Sequence, residues 1–161
     1  MWSATRGTRR FYDPVMENAG MPRAVGRCLC GAVTYEVRGP LRDIVLCHCV
    51  ECRRWGGHVG AFSSTRVEDL VIGETSALRW IDSPDSKRDA RRGFCADCGS
   101  SLFWQAASAE RVSIAAGTLE RPTGLRVAAH IYTHQAGDWD ELADDGLPRD
   151  PDVGGIELRW S

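Results

Sequence analysis

Seven cysteines fall into three tight groups: Cys28 and Cys30, then Cys47, Cys49 and Cys52, then Cys95 and Cys98. That spacing restricts the chain more than any other feature. An odd number of cysteines cannot close entirely into disulfides. Bridges across one or two residues are strained, because joined Cα atoms need a separation of roughly 4.4–6.8 Å and a set dihedral angle. Thiolates placed this close and pointing one way suit a metal ion instead. Zinc takes sulfur and imidazole ligands in a tetrahedron, with Zn–S near ~2.3 Å. A Cys-x-x-Cys turn offers two ligands to one ion. A Cys-x-Cys on extended backbone does the same, since residues i and i+2 share a face.

Counting divides the set. Cys28, Cys30, Cys95 and Cys98 make four ligands, a closed structural site that ties the start of the domain to its middle hairpin. Metal binding there becomes folding free energy. Cys47, Cys49 and Cys52 make three, which leaves one tetrahedral position open, the stoichiometry of a catalytic zinc. Two zinc ions per chain are expected. Spacing alone leaves two alternatives open: His48 or His58 closes the second site, or Cys95 and Cys98 join the triplet. Lying between two ligands, His48 is a candidate catalytic acid–base or a group that supports the ligands from behind. Its plainer reading is a hydrogen-bonded side chain. His130 and His134 stand four apart outside any helical pattern and are not read as ligands.

The rest of the chain reads as one mainly β domain. Alternating or β-branched runs mark strands at Ala32–Val37, Ile44–Leu46, His58–Ser64, Leu70–Ile72, Ala77–Ile81, Arg111–Ala116 and Leu125–Tyr132. Ala90–Phe94 and Ser101–Gln105 form a hairpin around the last cysteine pair, and a short helix fits Val50–Trp55. Residues 1–22 read as an N-terminal tail, 23–148 as the domain and 149–161 as a C-terminal tail. Asp138–Asp152 carries seven acids against one arginine and reads as a solvated stretch. A net charge of −2 over 161 residues argues against bulk electrostatic binding of nucleic acid. No apolar run is long enough to span a membrane. The basic start lacks the apolar run of a secretory signal, and clustered reduced cysteines fit a cytoplasmic protein.

Gly26–Val37 with Cys28 and Cys30, Cys47–Trp55 with its three cysteines, and Arg92–Trp104 with Cys95 and Cys98 closely resemble the glutathione-dependent formaldehyde-activating enzyme family, which includes centromere protein V. His130–Tyr132 and Asp145–Pro148 fit it as well, so the resemblance runs from about Val25 to Pro148. It implies a zinc-binding β-tent type of fold, with two folded antiparallel sheets and little helix. It implies a structural zinc on Cys28, Cys30, Cys95 and Cys98, and a second zinc on Cys47, Cys49 and Cys52. The implied activity is a carbon–sulfur lyase reaction, the reversible condensation of formaldehyde with glutathione to S-hydroxymethylglutathione. The partner is then a small-molecule thiol such as glutathione. Arg53, Arg54, Arg79, Lys87, Arg88, Arg91 and Arg92 are candidates to meet its carboxylates, or are surface charges. Three thiolates make zinc electron-rich, so thiolate transfer fits such a site better than carbonyl polarisation. The competing reading is a non-enzymatic zinc module that binds a protein partner. A solvent-open cavity at Cys47, Cys49 and Cys52 discriminates between the two.

Overall fold

The computed structural model describes residues 22–84, 89–152 and 156–161. Of the expected N-terminal tail, residues 1–21 lie outside the described residues, as do Lys87 and Arg88. The strands are β1 (Ala24–Arg27), β2 (Thr34–Val37), β3 (Ile44–Cys47), β4 (Gly60–Arg66), β5 (Leu70–Ile72) and β6 (Leu78–Asp82). They continue as β7 (Ala90–Cys95), β8 (Ser101–Ala106), β9 (Arg111–Ala115), β10 (Val127–Ile131) and β11 (Arg149–Asp150). The helix α1 (Val50–Gly56) follows β3.

The chain is mainly β and builds two sheets. One has three strands, in the order β1-β2-β5, and the other has eight, in the order β11-β10-β3-β4-β9-β8-β7-β6. The small sheet is antiparallel. The large one is antiparallel from β3 to β6, but β10 runs parallel to both β3 and β11. That makes it a mixed sheet rather than a purely antiparallel one.

Alternation decides which face each strand buries. Tyr35 and Val37 of β2 and Val112 and Ile114 of β9 turn inward, two residues apart. With Val33, Leu41, Leu102 and Phe103 they form one core that also takes in Cys28 and Cys95. The Tyr35 and Phe103 rings meet edge-on at 5.1 Å, which joins the small sheet to the large one. Strand β4, between β3 and β9 in the sheet, departs from alternation, with both of its faces buried over Phe62–Thr65. Its hydroxyls are satisfied there: Ser63, Ser64 and Thr65 donate to the carbonyls of Arg42, Val112 and Pro40 at 2.6, 3.1 and 3.0 Å.

Residues 149–161, read from the sequence as a tail, hold β11 and a docked terminus. Leu41 and Ser161 exchange two backbone hydrogen bonds of 2.9 Å, and the Asp43 N–H donates to the Arg159 carbonyl at 2.9 Å. The Arg159 guanidinium grips the buried Asp43 carboxylate with bonds of 3.0 and 2.9 Å. This docking relies on backbone pairing and one ion pair, which leave no apolar period in the sequence. Burial pushes Asp43 up, but hydrogen bonds from Arg159 and the Arg126 N–H outweigh it and hold the carboxyl below its ordinary range.

Arg159→Ala should therefore leave a buried carboxylate short of its partner and lower stability by about 1–2 kcal/mol, measured by urea unfolding at pH 7. A depressed carboxyl stabilises the fold above the unfolded value of about pH 4 and loses that effect as pH falls below it. An unchanged unfolding midpoint at pH 7 would contradict this role for the terminus.

Candidate metal centres and the cleft

Cys28 and Cys30 lie in the turn between β1 and β2. Cys95 ends β7, and Cys98 lies in the turn to β8. Tyr35 packing on Phe103 brings the two turns together, and the four sulfurs lie within 4.8 Å of one another. Cys28 Sγ is 3.5 Å from Cys30 Sγ, and Cys30 Sγ is 3.8 Å from Cys95 Sγ. A tetrahedron with Zn–S near 2.3 Å has an edge of about 3.8 Å, and these two separations match it. Local backbone holds it: the Val33 N–H donates to Cys28 Sγ at 3.3 Å, and the Leu29 N–H donates to Ser100 Oγ at 3.0 Å. Gly31 and Gly99 close the two turns at φ +83° and +74°, a region that side chains other than glycine rarely adopt.

The second set forms around the start of α1. Cys47 is the last residue of β3, Cys49 caps the helix and Cys52 sits in its first turn. The Cys52 N–H donates to Cys49 Sγ at 3.4 Å, and the three sulfurs also lie within 4.8 Å of one another. The thiols of Cys47 and Cys52, then the Cys52 N–H and the Arg92 charge, pull Cys49 down to about 2. The Cys49 and Cys52 contacts push Cys47 up. A divalent cation is what allows all three to ionise together. All seven cysteines are free thiols. Both clusters can hold metal ions, and both donor sets suit zinc.

The two clusters face different surroundings. Cys28 and Cys95 are wholly buried in the main core, while Cys30 is exposed and Cys98 half-buried at its edge. Cys47, Cys49 and Cys52 line a cleft of about 600 Å³, within the range of small-molecule sites. Phe62, Trp104 and Tyr132 supply its apolar wall; Arg42, Arg54, Glu51 and Gln135 are among its polar groups. Tyr132 takes a left-handed backbone at φ 55°, uncommon outside glycine. Arg92, 3% exposed, also lines the cleft, and is held by Glu51 Oε2 at 3.2 Å and Ser83 Oγ at 3.1 Å. Of the arginines singled out in the sequence, Arg54 and Arg92 reach the cleft, whereas Arg53, Arg79 and Arg91 are not part of its lining. Arg42, which the sequence reading does not include, lines it as well, because β3, β4, β8 and β9 assemble around the cleft.

His48 turns away from this cleft. Its Nδ1 meets Asp140 Oδ2 at 3.2 Å and its Nε2 meets His130 Nδ1 at 2.9 Å. His130 Nε2 in turn meets Asp145 Oδ2 at 3.0 Å. Both imidazoles are 4% exposed, and neither lines the cleft. With both ring nitrogens committed, His48 offers no base to the open side of the three sulfurs. The acid-rich segment read as solvated supplies the two carboxylates that hold this buried pair. His58, a candidate to close the second site, bonds Asp140 Oδ1 at 3.3 Å instead.

The difference in burial gives an expected difference between variants. Cys28→Ser should abolish cooperative unfolding or shift it by more than about 4 kcal/mol, since a structural zinc site can supply about 10–16 kcal/mol of apparent binding energy. Cys49→Ser should cost less than about 2 kcal/mol while removing one metal ion. Thermal melts paired with elemental analysis check both. Equal destabilisation would contradict the division of roles.

Comparison with known proteins agrees with this geometry. The family model described as glutathione-dependent formaldehyde-activating enzyme matches residues 23–135. No curated protein matches the chain. Among solved structures, the crystal structure of a Rhodobacter sphaeroides protein, a structural genomics target, is 22% identical with a TM-score of 0.50. The alignment covers 78% of this chain and 98% of that one, a likeness of fold alone. The family match spans well over half of the chain and contains all seven cysteines, so this protein belongs to the glutathione-dependent formaldehyde-activating enzyme family.

Proposed function

We propose that the protein is a zinc-dependent enzyme of carbon–sulfur lyase type, which joins a thiol to formaldehyde and runs the same step in reverse. Glutathione is the thiol for which its family is named. Cys28, Cys30, Cys95 and Cys98 hold a structural zinc, and Cys47, Cys49 and Cys52 hold a second ion in the cleft. When bound there, zinc supplies a coordination position for the sulfur or oxygen of the substrate. The reaction balances within the substrates: the S–C bond forms, the C=O double bond becomes C–OH, and the thiol proton ends on that oxygen.

The observation that carries this reading is the cleft itself. Cys47, Cys49 and Cys52 share it with Phe62, Trp104, Tyr132 and several arginines. The aromatic wall limits water around a reacting sulfur, and the arginines offset negative charge as it gathers on the thiolates. A site with three thiolates is poor at polarising a carbonyl, so delivery of a substrate thiolate is the step that it fits best. His48 serves as a positioning group: its bonds to Asp140 and His130 fix the loop that carries Cys47 and Cys49. A protein-interaction module would call for a packed second centre, and the open cleft favours the enzyme. Free thiols in such number suit the reducing cytoplasm. Among the described residues no helix is long and apolar enough to cross a membrane.

Freshly purified protein should carry two zinc ions per chain, the one in the cleft leaving first to a mild chelator. One ion or none by elemental analysis would count against the assignment. Zinc-loaded protein should accelerate adduct formation from formaldehyde and glutathione above the uncatalysed rate, and Cys49→Ser should abolish the acceleration. A panel of thiols showing no acceleration would overturn the lyase reading.

A further inference from the structure

Arg42 lies two residues before β3, and its side chain lines the cleft that holds Cys47, Cys49 and Cys52. Its Nε donates to the Asp43 carbonyl at 3.2 Å, and its Nη2 donates to the Phe62 carbonyl at 3.0 Å. Two backbone carbonyls fix the guanidinium in place but do not neutralise it. The donors of Nη1 find no partner among the described residues.

Each nearby acid is occupied or turned elsewhere. Asp43 is gripped by Arg159. Glu51 is bonded to Arg92 and Ser83. Asp152, the other acid of the cleft, is exposed and stands 4.0 Å from His134. Among the described residues Arg42 makes no ion pair. Burial, with Arg111 as a like-charged neighbour, lowers its pKa to about 10, so it stays cationic at neutral pH. Arg54 also lines the cleft but is exposed, and water solvates it. Arg42 is thus a half-buried cation with a fixed orientation and free donors, and what it lacks is an anion. A planar guanidinium held this way matches a carboxylate.

The wall beside it is built for a small polar ligand. Ser113 of β9 pairs across to Ser64 of β4 and to Trp104 of β8, and the Arg42 N–H donates to the Ser64 carbonyl at 2.9 Å. Arg42, Ser113 and Trp104 all line the cleft. The Ser113 hydroxyl and the Trp104 indole N–H make no hydrogen bond among the described residues, so they too are free to meet a ligand.

We propose that Arg42 is the carboxylate anchor of the cleft, holding a carboxylate of the thiol substrate while the substrate sulfur faces Cys47, Cys49 and Cys52. The inference rests on the thiol-adduct reading above. It makes Arg42 a specificity residue: it selects thiols that carry a carboxylate over neutral ones.

Zinc-loaded wild type and Arg42→Gln are compared on glutathione, glutathione diethyl ester, 3-mercaptopropionate and 2-mercaptoethanol. Turnover with formaldehyde and thiol binding by calorimetry are both measured. In the variant, KM and Kd for the two carboxylate thiols should rise about tenfold or more, with kcat within about twofold. The ester and 2-mercaptoethanol should respond as they do with wild type. Arg42→Lys, which keeps the charge but loses the fork, should fall between the two. A structural arginine would lower all four thiols together, and that outcome, or an unchanged preference for carboxylates, overturns the proposal. If Arg42→Gln does not fold, wild type alone decides: a preference for glutathione over its diethyl ester of about tenfold or more supports the anchor, and no preference overturns it. If wild type turns over none of these thiols but binds the carboxylate ones through Arg42, the lyase reading fails and the anchor stands. Binding indifferent to Arg42 sinks the anchor whatever the turnover.

Discussion

Convergence of sulfur on two points organises this molecule. Four of the sulfurs come from two turns that are far apart in the chain, one leaving β1 and one leaving β7. For them to meet, the small sheet must lie against the large one, and Tyr35 against Phe103 is where the two sheets touch through their rings. Neither sheet is large enough to bury both of its faces alone. The core that joins them includes Cys28 and Cys95 themselves. The cluster is therefore part of the core rather than an attachment to it.

The second cluster follows different rules. It draws on a strand end, a helix cap and one helical turn, all within six residues from Cys47 to Cys52. Such a local set needs support from behind, and receives it from the His48–His130 pair held between Asp140 and Asp145. Its open side gives onto the cleft. A scaffold that fixes the sulfurs from the rear while leaving the front to solvent is what a reactive centre requires. The first cluster has two sulfurs sunk in the main core and reaches the surface only through Cys30 and Cys98, with no cleft lined by it among the described residues.

Much of this was legible in the sequence. Strands β2 to β10 and the helix fall where alternation and turn residues place them, because most of these strands bury one face and the alternating pattern records it. The four-and-three division of cysteines followed from ligand counting. What the sequence hid was carried by contacts without a local pattern. Strand β11 has two polar residues and pairs through its backbone. The acids at 140 and 145 looked like solvated charge, since nothing nearby in the chain announces the two buried imidazoles that they meet. Nothing near Arg42 in the chain marks it, because the cleft it lines forms only when β3, β4, β8 and β9 assemble.

Zinc K-edge X-ray absorption on freshly purified protein addresses the unequal division of sulfur between two centres. One ion with four sulfurs and one with three and a lighter atom average to about 3.5 sulfurs and 0.5 nitrogen or oxygen per zinc. A sulfur–sulfur distance typical of disulfides, or a single ion per chain in an all-sulfur shell, would contradict it.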